Sequence, residues 1–157
     1  MKVFISYSHK DKKYVDANNS YSILAFIEGL KNEINVEFWH DGRISTGDLW
    51  DDKIRENINA SNMAICLVSQ SFIDSKYITN VEIYEFLKKR KEKGMIIYPI
   101  ILSACDWNKC EWLKKTKYTP PDNKNIERDY SISGKRKELY ASIREEIKNI
   151  LLNMNNP

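Results

Sequence analysis

Three short runs, residues 2 to 7 (KVFISY), 63 to 68 (MAICLV) and 95 to 102 (MIIYPIIL), are apolar almost throughout and rich in β-branched or aromatic residues. A strand with one wet face alternates apolar and polar side chains. A strand covered by helices on both faces reads as a nearly continuous apolar run, as these do. The chain is therefore expected to build a parallel sheet enclosed between two layers of helix. Pro99 lies inside the third run and cannot donate a ladder hydrogen bond, so that strand is expected at an edge, bulged, or ending there.

The segments between the runs carry helical spacing. Tyr21, Leu24, Ile27 and Leu30 recur every three residues, Ile54 and Ile58 are four apart, and Val81, Tyr84 and Leu87 repeat the first spacing. A fourth strand, residues 36 to 39 (VEFW), fits between the first two helices. Strictly alternating strand and helix imply right-handed crossovers. The expected fold is α/β, a flavodoxin-like three-layer sandwich with a central, mainly parallel sheet of four or five strands and helices on both faces. One domain is expected over residues 1–157: a core over 1–107, an irregular connection over 108–132 with a short helix near 107 to 115, and a C-terminal helix over 134–154. Leu139, Ile143, Ile147, Ile150, Leu151 and Met154 form the stripe of that helix, and Ser133-Gly134 precedes it as a start signal.

Composition excludes several function classes. With 42% apolar and 30% charged residues and only nine Gly plus Pro, the chain is globular in character. Its net charge of +3 comes from basic residues scattered among acids, which does not favour nucleic acid as a partner. The run Lys88-Lys89-Arg90-Lys91 closes a predicted helix, where cations complement the dipole and free carbonyls. Cys66 sits in an apolar run, and Cys105 and Cys110 have no nearby His or second Cys pair, so neither a disulfide framework nor a zinc site is expected. No segment reaches the roughly 18 apolar residues of a membrane span, and the start turns polar at Ser6, too early for a signal peptide. A cytoplasmic location without membrane contact is the expectation.

In an open parallel sheet, ligands bind beyond the carboxyl ends of the strands. That directs attention to residues 6 to 9, 40 to 48, 69 to 77 and 103 to 107. No G-x-G-x-x-G, P-loop or H-E-x-x-H sequence is present, so a redox-type dinucleotide site is not expected. Ser6, His9 and Asp11 crowd onto one short turn, which gives no reason for catalytic-triad geometry. A phospho-acceptor receiver shares the layout, but it needs acids after the first strand and an Asp after the third. Ser6-Tyr7-Ser8 and Ser69 stand there instead.

The sequence VFISYSHKD (3 to 11) resembles the opening box of Toll/interleukin-1 receptor (TIR) domains. The likeness continues through FWHDGRISTGDLW (38 to 50), LVSQSFIDSKYITNVE (67 to 82), and the strand bearing Pro99 followed by Cys105-Asp106-Trp107, a pattern resembling bacterial members. It covers residues 3 to about 107. By this resemblance Glu82, which follows Ser75 and Tyr77 in the spacing S-x-Y-x4-E, corresponds to the catalytic glutamate of NAD-cleaving TIR domains. Position alone also fits an ordinary acid in a first helical turn.

The resemblance implies an NAD+ nucleosidase, cleaving the nicotinamide–ribose bond to give ADP-ribose or a cyclic ADP-ribose signal in bacterial immune signalling. NAD+ would be the substrate, with no cofactor or metal. The chemistry suits a lone carboxylate, because loss of neutral nicotinamide needs no strong acid and leaves an oxocarbenium-like centre that a fixed anion stabilises. Tyr7 and Tyr77 match aromatic positions that would stack on nicotinamide or adenine, although half-buried packing would place them equally well. Ser8 stands where several family members carry Arg, a departure at a phosphate or ribose contact. Asp41, Arg43, Gly47 and Trp50 belong to the loop that in the family borders the nucleotide and joins neighbouring domains. Gly47 is equally suited to a turn before a helix capped by Asp48, and Trp50 to a core anchor. The alternative is a non-catalytic TIR module acting by homotypic assembly, since fold does not dictate activity. Self-association and a separate sensor or effector protein are the partners implied.

Overall fold

The computed structural model describes residues 1–156. Four strands, β1 (Lys2–Tyr7), β2 (Glu37–Trp39), β3 (Met63–Val68) and β4 (Ile96–Ile101), form one sheet in the order β2-β1-β3-β4, with every pair parallel. All six residues of β3 are buried, as befits a central strand covered on both faces. β1 alternates between two cores. Val3, Ile5 and Tyr7 join one cluster with Ile27, Leu30, Tyr140, Ile143, Ile147 and Leu151, and Phe4 joins the other with Trp39, Ile54, Ile58 and Phe86.

β4 is an edge strand. Leu102 donates its N–H to Val68 across the sheet at 2.8 Å, and Ile96 donates to Asn62 at 3.2 Å, so even-numbered positions pair inward and odd-numbered ones face out. Pro99 therefore turns its donorless nitrogen to the open side, while its carbonyl accepts from Thr119 N–H at 3.0 Å. Ile100 and Thr119 make one isolated parallel bridge, the only trace of a fifth strand among the described residues.

The helices are less regular than their spacing predicts. The first is α1 (Leu24–Ile27), continued by a 3₁₀ segment (Glu28–Asn32), and Leu24, Ile27 and Leu30 are buried. A strict period of three is the repeat of a 3₁₀-helix, which the apolar spacing already contained. α2 (Trp50–Ala60) buries Ile54 and Ile58. Asp48 does not cap it, because its carboxylate accepts from Ser45 N–H at 3.1 Å inside the preceding loop. α3 (Gln70–Asp74) is capped by Ser69, whose hydroxyl accepts from Phe72 N–H.

A π-helical turn (Ile78–Ile83) then runs into α4 (Tyr84–Lys93), which ends on Gly94 in the left-handed conformation at φ 72°. The buried residues here are Ile78, Glu82, Ile83 and Phe86, while Tyr84 is exposed. The expected stripe of Val81, Tyr84 and Leu87 is thus corrected by about one position. In an α-helix Ile78 and Ile83 would point about 140° apart, and the wider turn brings both onto the side of Glu82.

Residues 103 to 132 hold a 3₁₀ turn (Trp107–Lys109) and two single-turn helices, α5 (Glu111–Lys114) and α6 (Ile126–Asp129). The long α7 (Ser133–Asn155) lays Tyr140, Ile143, Ile147 and Leu151 on the sheet. Its Arg136 is buried with the guanidinium over the Tyr21 ring at 3.9 Å, donating to the carbonyls of Ser20, Tyr130 and Ser131. That ties α7 to the loop before α1. No helix is long and apolar enough to cross a membrane among the described residues.

Candidate active site

Reversal of strand order between β1 and β3 opens a crevice at their carboxyl ends. There lies a cleft of about 830 Å³, lined by residues from the turn after β1, the loop after β2, the start of α2, and the segment from Ser75 to Glu82. That volume suits a nucleotide-sized ligand.

Glu82 forms the floor. It is only 7% exposed, and burial raises its carboxyl from an ordinary 4.5 to about 7. The Ser6 hydroxyl lies near enough to hold the value down in part, yet makes no hydrogen bond of ordinary geometry, and Ser6 Oγ is buried without a partner. The Asp41 carboxylate pushes Glu82 further up, and His9 acts in the opposite sense. The Ser6 hydroxyl lies outside the cleft lining, so Glu82 is the buried acid that the cleft presents, and a buried acid with a raised pKa in a cleft is a mark of functional sites.

One wall is aromatic. Trp50 and Tyr77 pack with centroids 4.8 Å apart and their planes tilted by 52°, and the Tyr77 hydroxyl donates to Asp51 at 2.7 Å. That bond holds the Tyr77 ring against the cleft and, after burial, is the next cause of its raised pKa. Trp50 is 55% exposed, so it is not a core anchor. On the opposite side Tyr7 sits beside His9 and His40, with ring centroids 5.9 and 6.1 Å away. Burial and the neighbouring Asp41 keep its phenol protonated. Asp41 bonds His9 Nε2 through Oδ2, while Oδ1 is buried and unpartnered.

A family model described as "TIR domain" matches residues 3–129. The chain belongs to the TIR domain family. Among curated relatives, an uncharacterized protein y4lF of Sinorhizobium fredii is 34% identical over 124 residues, covering 79% of this chain and 36% of that protein. The present chain thus spans about a third of that relative's length. Among solved structures, the TIR domain of the Toll-related receptor TRR-2 from Hydra magnipapillata superposes with a TM-score of 0.61 at 18% identity, over 93% of this chain and 97% of that one. That likeness is one of fold.

Of the candidate residues named from this TIR sequence, Tyr7, Ser8, Asp41, Trp50, Tyr77 and Glu82 all line the one cleft. Arg43 and Gly47 do not. Arg43 is drawn to Glu28 at 3.4 Å, and Gly47, at φ 96°, stands in open loop with nothing within 4 Å of where a Cβ would be. Residues 103 to 107 also stay outside, where Asp106 N–H bonds the Gln70 side chain at 2.9 Å. The lining adds His9, Lys10, Lys12, Gly42, Ile44, Ile54, Ser75 and Ile78. No group of three or more His, Cys, Asp or Glu side chains gathers as a metal site among the described residues.

Proposed function

We propose that this TIR domain is an NAD+ nucleosidase, with Glu82 as its catalytic residue and ADP-ribose or a cyclic form of it as product. The observation that carries this reading is a carboxyl group, buried and with its pKa raised to about 7, on the floor of a nucleotide-sized cleft with an aromatic wall. Nicotinamide fits against Trp50 and Tyr77, and the adjoining ribose against Glu82. As the ribosyl C1′–N bond breaks, the bonding pair passes to the pyridinium nitrogen and neutral nicotinamide leaves. The Glu82 carboxylate stabilises the positive charge that develops on the ribose. Water, or a nucleophile of the same molecule, then adds to C1′ and gives up a proton. A carboxylate with pKa near the working pH is suited to accept it.

The test is release of nicotinamide by the purified chain at high protein concentration. Glu82→Gln should cut the rate by about a hundredfold or more. A chain that releases no nicotinamide, with or without Glu82, would sink the proposal. One observation favours assembly as a second reading: Leu49 is 71% exposed beside the exposed Trp50, an apolar pair at the cleft mouth suited to contact with another TIR domain. Sedimentation of the same samples distinguishes an assembling module without turnover from an enzyme.

A further inference from the structure

Five side chains of the cleft carry or can carry charge: His9, Lys10, Lys12, Asp41 and Glu82. His9 is engaged by Asp41. Lys10 and Lys12 stand exposed on the 3₁₀ turn His9–Tyr14 that follows β1, and among the described residues neither ammonium reaches a carboxylate. Their neighbour Lys13 is committed elsewhere, paired with Glu127 at 3.7 Å and lying over the Tyr21 ring at 4.3 Å. Arg43 is held by Glu28 outside the lining, and Ser8 offers no charge. The cleft is therefore bipolar, acidic at its buried floor and cationic at its rim, and low-dielectric walls concentrate both fields.

A ligand satisfying both poles is cationic at one end and anionic farther along. We infer that Lys10 and Lys12 form an anion subsite for the diphosphate bridge of a dinucleotide whose nicotinamide ribose lies against Glu82. This rests on the NAD+-cleaving reading above and adds to it the groups that choose a dinucleotide over a simple nucleoside. Lysine serves here as a point charge toward phosphate oxygens, which tolerates the varied geometry of a flexible diphosphate.

The experiment compares the parent with the double variant Lys10→Gln/Lys12→Gln, and with Lys135→Gln on α7 as a control for lost charge. Binding of ADP-ribose and of adenosine is measured by calorimetry, with turnover of NAD+ and of nicotinamide riboside alongside. In the double variant the ADP-ribose Kd should rise about tenfold or more, while adenosine binding stays as in the parent. KM for NAD+ should rise to a similar extent with kcat retained. Nicotinamide riboside, which lacks the diphosphate, should be processed alike by both proteins. Equal ADP-ribose affinity in parent and double variant overturns the inference, as does a parent that binds ADP-ribose no better than adenosine. If the parent cleaves NAD+ and the double variant keeps its KM, the subsite falls while the enzyme stands. If no NAD+ is cleaved yet ADP-ribose binding depends on the two lysines, the subsite stands and the enzyme reading falls.

Discussion

Glu82 concentrates what single side chains can report. Its carboxyl is raised by burial to about 7 from an ordinary 4.5, so at neutral pH the free protein holds it near half protonated. If the anion stabilises the reacting ribose, kcat/KM for NAD+ should fall about tenfold per pH unit below 6 and level off above 8, as a pH–rate profile would show. The same burial makes a stability prediction with a definite sign. A group whose folded pKa lies above its unfolded value contributes full stability below the unfolded value, and that contribution is lost as pH rises through the folded one. Glu82→Gln should therefore match the parent in urea unfolding at pH 4 and exceed it at pH 8 by at most about 3 kcal/mol. A gap that does not widen across that window would mean Glu82 titrates as an ordinary surface acid. Position in the sequence gave this residue an everyday alternative, an acid in a first helical turn. Only the motif spacing, and then its burial, distinguished it. His9 was marked by its place after the first strand, but Lys10 and Lys12 had no such signal, because exposed charges have no period and their partners are defined only in three dimensions.

At the scale of elements, the strands were legible and the helices only in part. Continuous apolar runs survive any misjudged phase, whereas a helical stripe presumes regular winding. The π turn at Ile78–Ile83 breaks that presumption and moves burial from Tyr84 to Ile83. Pro99 was legible as a strand-edge signal, and the Thr119 bond to its carbonyl shows how the edge is covered. The basic run at 88 to 91 was expected to serve its own helix, but Lys89 instead reaches across to α2. Its ammonium donates to the carbonyls of Ile58, Asn59 and Ser61, closing the end of that helix. Burial lowers its pKa, in keeping with an ammonium packed between two helices. Lys89→Met should cost about 1–2 kcal/mol, read as a lower denaturation midpoint with unchanged slope. Asp48 is the reverse case: a residue type suited to capping that the loop uses for its own turn.

At the scale of the molecule, the family match ends at residue 129, yet the fold does not. α7 supplies Tyr140, Ile143, Ile147 and Leu151 to the same core as Val3 and Ile5, and Arg136 fastens it to the chain before α1. A chain truncated after Tyr130 should show no cooperative thermal transition by circular dichroism, because one face of the sheet would keep only α1 and its 3₁₀ continuation as cover. The apolar stripe of α7 was readable in advance. Its partners were not, since a stripe says that a helix packs without saying against what. The widened turn that holds Glu82 bears on inheritance as well as on shape. It accommodates one residue more than an α-helix would, so loss of a single codon between Ile78 and Glu82 would restore ordinary winding with Ile78 and Ile83 four positions apart and still on one side. The sheet would be untouched, and only the turn that carries Glu82 would be shortened. A gain or loss of one residue in this turn is therefore a change that the fold can absorb while the surroundings of the buried acid shift.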